Sequence, residues 1–166
     1  MGALFAYISA TPFIVQDIYG FSELRFSLVF AVNAIALAAG SALSLRFSAM
    51  YKAALCGSVI GCILAAAGAV TALLGLSNFM IYEIPTFVML FGIGLVLTGS
   101  TSQAMNLGRN CAGAASAVIG GIGYIAGGLI SPLVSYGEIC VTSFLLCALF
   151  MLLASIIVLF QVNVGA

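Results

Sequence analysis

"AALCGSVIGCILAAAGAVTALLGL", Ala53–Leu76, is a 24-residue run without a single charge. As an α-helix it is about 36 Å long at about 1.5 Å per residue, enough to cross a hydrocarbon core of about 30 Å. A strand reading fails: the run is too long and does not alternate, and an open strand in lipid leaves its backbone groups unpaired. Gly57, Gly61, Ala65 and Ala69 recur at intervals of four. That spacing puts four small residues on one helix face, a ridge onto which another helix backbone can close in lipid.

The stretches on either side repeat the pattern. Polar punctuation divides the chain into six apolar runs, at about 1–15, 26–45, 53–76, 84–104, 112–134 and 139–162. They are separated by "QDIYGFSELR", "RFSAMYK", "SNFMIYE", "MNLGRN" and "SYGE". The totals agree: 64% of the 166 residues are hydrophobic and 5% are charged. A soluble domain carries about 25% charged residues. Four basic and four acidic side chains cannot clothe a soluble globule of this size, so the expected fold class is an all-α membrane protein with six transmembrane helices, surrounded by the lipid bilayer.

Positive charge orients the bundle. The second and fourth connections hold Arg46, Lys52 and Arg109, and the others hold only Arg25. Both chain ends and these two connections are therefore expected on the cytoplasmic side. The first run is the exception in length. Its roughly 15 residues make a helix of about 22 Å, short of the core thickness. It has no basic start and no clear cleavage site, so it does not read as a signal peptide. The expectation is a chain that begins earlier than Met1.

Several function classes drop out. The net charge is zero, which offers nothing to nucleic acid. The five cysteines, Cys56, Cys62, Cys111, Cys140 and Cys147, form no CxxC pair, so no metal site and no cofactor is expected. With no His and a single Asp, neither a nucleophile–base pair nor an aspartate pair can be assembled, and the chain is not read as an enzyme. Asp17, Glu23, Glu83 and Glu138 all fall on the polar connections. Buried acids commonly carry protons in transporters, so no coupling site is expected within this chain.

The fifth run, "GAASAVIGGIGYIAGGLISP", spreads glycine over several faces and ends at Pro132. Glycine loosens a helix, and proline frees a backbone carbonyl. Gly120, Gly123, Gly127 and Pro132 therefore mark either plain packing or a helix that flexes as a gate. The polar residues inside the runs are Ser9, Thr11, Asn33, Thr98, Ser100, Thr101, Ser102 and Gln103. Serine and threonine can bond their own helix backbone. Asn33 and Gln103 must point into the bundle, toward another helix or a wet cavity. In "YISATPFIVQ", Tyr7–Gln16, helical spacing puts Phe5, Ile8, Pro12 and Val15 on one face with Thr11 beside it. A loosely binding apolar cavity and a buried kink both fit that face.

"YISATPFIVQDIYGFSELRFSLVFAVNAIALAAGSALSLRF", Tyr7–Phe47, resembles the Bcr/CflA drug-resistance group of the major facilitator superfamily at helices seven and eight. Tyr7, Ile8, Ser9, Thr11, Pro12, Phe13, Phe30, Ala31, Asn33, Ala34, Gly40 and Ser41 fit that pattern. "GRNCAGAASAVIGG", Gly108–Gly121, is similar to the same group where helix eleven begins, at Ala112, Gly113, Ala115, Ser116 and Gly120. The resemblance implies one half of a major-facilitator-type fold, the C-terminal six helices of twelve. It implies a central cavity, lined here by Phe5, Ile8, Thr11 and Pro12, with Asn33, Thr98 and Tyr124 from the later helices. It also implies three partners: an N-terminal half, a small-molecule substrate, and protons whose buried acids lie largely in that other half. The chain departs from the group at Thr98-Gly99, where Pro-Asn is usual, and at Gly123, where Gln is usual.

The resulting expectation is a proton-coupled efflux transporter of small apolar or amphipathic compounds, incomplete without its other half. The alternatives are a non-transporting six-helix assembly or scaffold subunit, and a half-size transporter working as a homodimer.

Overall fold

A computed structural model describes residues 1–75 and 78–164. The described residues are all-α, with six principal helices. They are α1 (Gly2–Pro12), α2 (Glu23–Ser44), α3 (Met50–Leu73), α4 (Phe79–Leu107), α5 (Ala112–Ile130) and α6 (Ile139–Val164). Five segments are long and apolar enough to cross a membrane: α2, α3, α4, α6, and α5 with its flanking turns, Arg109–Ser135. The segment Gly2–Ile18 is apolar but shorter. The chain is thus an integral membrane protein by length and composition of its helices. Leu76, the expected end of the third run, lies outside the described residues.

Helix α4 is the hub. It packs against α2 on one side and α3 on the other, and α6 closes on α3 and α1. The contacts are made by backbone as much as by side chains. A Cβ on Gly57 of α3 would lie 2.5 Å from the carbonyl oxygen of Gly92, and one on Gly92 would lie 2.7 Å from that of Gly57. On the other flank, a Cβ on Gly40 would collide with the Phe91 carbonyl, and one on Gly94 with the Leu37 carbonyl. Ser41 Oγ donates to the Gly94 carbonyl at 3.3 Å across the same seam. The buried residues of α2 are Asn33, Ala36, Gly40 and Ser44, and those of α3 include Gly57, Gly61, Ala65 and Ala69. The ridge read from the sequence on α3 is therefore a buried face, and α2 buries a matching row of small residues at Ala36, Gly40 and Ser44.

The connections are shorter than polarity suggested, and this corrects the placement of the acids. Asp17 sits in a π-helical turn, Phe13–Ile18, that continues α1. Glu23 opens α2, and Glu83 is the fifth residue of α4. The physical reason is that polarity marks where water begins, not where hydrogen bonding ends. Asn78 caps α4 by accepting from the Met80 amide at 2.9 Å, which starts the helix before its first charge.

The π turn also corrects the face expected on α1. Pro12 has no N–H to continue the α-helical ladder. The chain widens, and the Tyr19 amide donates to the Ile14 carbonyl, five residues back, at 3.1 Å. The wider turn changes the phase of the residues beyond Pro12. Val15 turns inward and is buried, while Phe13 turns outward. Phe5, Ile8, Pro12 and Val15 therefore do not share one face.

Candidate functional site

The expected cavity residues fall in three places. Phe5 and Tyr124 form an edge-to-face pair at 6.0 Å, and the Phe5 ring lies against Gly127. Ile8 is 38% exposed and Tyr124 72% exposed, so both look outward from the bundle. Thr98 belongs to a shallow groove on α4 with Leu97, Thr101 and Ser102. Thr11 and Asn33 are in the interior, at 0% and 1% exposure. Pro12 is half-buried at the start of the π turn. Of the seven, Thr98 alone borders the α4 groove, and Tyr7, not Phe5 or Ile8, borders a small interior hollow, so neither gathers all seven.

Helix α5 is held on one face only. Gly123 lies against Met1 and Gly127 against Phe5, whereas Gly113, Gly120, Gly121 and Gly128 have open space where a side chain would be. Pro132 falls in a 3-10 turn, Ser131–Ser135, that ends the helix. Ser131 Oγ donates to the Gly127 carbonyl at 3.0 Å and lies 2.8 Å from Ser9 Oγ, tying the end of α5 to α1. Gln103 turns back on its own helix and donates to the Gly99 carbonyl at 3.2 Å.

Two hollows and one buried cluster were not expected. A cleft of about 420 Å³ opens between α4, α5 and α6, with Ser100, Gln103 and Gln161 among apolar walls from Leu97, Ile119 and Ile157. At the opposite end of the bundle, Ile18, Tyr19, Gly75, Glu138 and Cys140 border a second hollow. Burial, and after it the neighbouring Cys140, pushes the Tyr19 phenol above its ordinary pKa.

The cluster lies between α1, α2 and α4. Asn33 of α2 faces both the Tyr7 hydroxyl of α1 and the Glu83 carboxylate of α4. Tyr7 Oη, both amide atoms of Asn33, and Glu83 Oε2 are buried without a hydrogen-bond partner among the described residues. Tyr7 is 5% exposed, its ring stacked on Phe30 at 6.1 Å. Neighbouring hydroxyls are already engaged: Thr11 donates to the Tyr7 carbonyl at 2.6 Å and Thr86 to the Tyr82 carbonyl at 2.7 Å. Each orphaned polar group costs about 1–3 kcal/mol, so packing alone does not account for the three, and they are a candidate polar site. Asn33 was legible as an inward-facing amide. Glu83 was missed, and Asn78 is the capping signal that places it on the helix.

Comparison with known proteins gives one informative likeness. The chain is 37% identical over 139 residues to the uncharacterized MFS-type transporter YdgK of Bacillus subtilis (strain 168). The alignment covers 82% of this chain and 35% of that protein, so the chain spans about a third of the length of the relative it matches. No family model matches the chain. No solved structure matches it either.

Proposed function

We propose that the chain is the C-terminal six-helix half of an MFS-type exporter in the bacterial plasma membrane, with its C-terminus in the cytoplasm. An N-terminal half completes it. The two halves rock about a central cavity and exchange protons for small apolar or amphipathic compounds. The observation that carries this reading is the likeness to an MFS-type transporter over 82% of the chain. The exposure of Ile8 and Tyr124, together with the uncovered glycines of α5, supports a surface that a second half covers. Under this reading Phe5, Ile8 and Tyr124 meet substrate, and Pro12 sets the bend of α1.

The test is export of lipophilic fluorescent cations from cells expressing the complete gene, compared with the Ile8→Asp and Pro12→Ala variants at matched membrane levels. Export is expected in the parent and is expected to fall at least several-fold in both variants. Parent-level export in both overturns the assigned lining. No export of any compound, with a stably inserted protein, overturns the transporter reading and favours a scaffold subunit.

A further inference from the structure

The Tyr7–Asn33–Glu83 cluster is unexplained by packing, and the proposed export cycle makes no use of it. We propose that these three residues form a proton-binding site within this six-helix unit, in which the Asn33 amide relays the protonation of Glu83 to Tyr7 on α1. The site itself needs only the membrane-embedded fold; its use in driving export rests on the exporter reading.

The side-chain inventory leads to this assignment. Glu83 has one fully enclosed oxygen and is otherwise half-buried, so the carboxyl has both a dry and an accessible side. The groups bearing on it are Asn33 from α2 and, more distantly, Tyr7 from α1 and its own neighbour Tyr82; beyond Tyr82 lies Cys140 of α6. None of these is a cation. Arg25, on the same side of the bundle, is held over the Phe21 ring at 5.7 Å. An enclosed carboxylate without a cation is costly, and binding one proton removes that cost.

An amide between a carboxyl and a phenol has two complementary arrangements. With Glu83 ionised, Asn33 Nδ2–H donates to Glu83 Oε2 and Tyr7 Oη–H donates to Asn33 Oδ1. With Glu83 protonated, its new O–H donates to Asn33 Oδ1. The amide then turns over so that Nδ2–H donates to Tyr7 Oη, and the phenol proton seeks a new acceptor. One O–H bond forms on Glu83 as one breaks in the hydronium ion that gives up the proton on the accessible side, leaving water, and no covalent bond of Asn33 or Tyr7 changes. Tyr7 stands five residues before Pro12 on α1, the helix that runs into the π turn.

The test is infrared difference spectroscopy of the purified full protein in lipid bilayers, titrated from mildly acid to mildly alkaline pH. The parent is expected to show a buried carboxylic-acid band that vanishes on ionisation, with a tyrosine ring band shifting in step. Glu83→Gln is expected to abolish both changes. Asn33→Leu is expected to displace the carboxylic band and uncouple the tyrosine shift. A parent without such a band, or a Glu83→Gln spectrum that loses no part of it, overturns the proposal. If Glu83→Gln does not fold, the combined variant Asp17→Asn, Glu23→Gln, Glu138→Gln decides. It removes every other side-chain carboxylate in this sequence, and loss of the band there overturns the proposal equally. A titrating Glu83 in a protein that exports nothing leaves the site standing and the transporter reading overturned; export with no titrating Glu83 does the reverse.

Discussion

At the scale of single residues, the glycines of this chain divide into two kinds that look alike in the sequence. Gly94 carries its hydrogen where a methyl group would strike the Leu37 carbonyl. Relief requires moving α2 away from α4, so Gly94→Ala is expected to lose about 1–3 kcal/mol, as overpacking does. Gly121 meets nothing within these six helices, so Gly121→Ala costs them no contact and is expected to leave their stability unchanged or to raise it by up to about 1 kcal/mol from helix propensity. Denaturant titration of the two variants in mixed micelles measures the difference. Equal stabilities would contradict a close seam between α2 and α4.

At the scale of elements, Pro12 is the residue with the largest reach. Pro12→Ala restores an amide that can bond the Ile8 carbonyl, and α1 is expected to continue as an α-helix through the present π turn. The register of residues 13–18 then changes. Single cysteines at positions 13 and 15 are expected to react with a thiol reagent at position 13 only in the parent, where Phe13 is exposed and Val15 buried. That contrast is expected to shrink in Pro12→Ala; an unchanged contrast would show that the proline does not set the turn.

The six helices were legible because apolar length is a coarse signal that survives local detail. Their ends were not. Helix α4 runs for 29 residues, about 43 Å at about 1.5 Å per residue, and so extends beyond a core of about 30 Å. Its first turns sit where charge is tolerated, which is why Glu83 read as a connection. The π turn left no periodic trace, since six residues cannot distinguish its pitch from that of an α-helix. Of the candidate site, the inward pull on Asn33 was visible from chemistry alone. Its convergence with Tyr7 and Glu83 depends on the packing of three helices distant in sequence.

At the scale of the whole molecule, sidedness follows from where the positive charges fall. Arg109 begins the exposed turn that ends at Cys111. With the other four cysteines replaced, Cys111 is expected to react with a membrane-impermeant maleimide in inverted membrane vesicles and not in intact cells. Labelling in intact cells would reverse the orientation inferred from Arg46, Lys52 and Arg109. A companion variant that keeps only Cys147, buried and donating to the Ala3 carbonyl at 3.4 Å, is expected to resist the reagent from either side, which makes it the control.

The seams that join α4 to α2 and α3 have a thermal consequence. Leucines or methionines meeting across a helix pair surrender rotamer freedom when they interlock, and recover it on separation. Gly40, Gly57, Gly92 and Gly94 have no rotamers to surrender. Warming therefore offers these contacts little side-chain disorder as a reward for parting, and α2, α3 and α4 are expected to stay together as one slab on heating. Helix α5, touched on one face only, is left as the element that heat or a ligand displaces first.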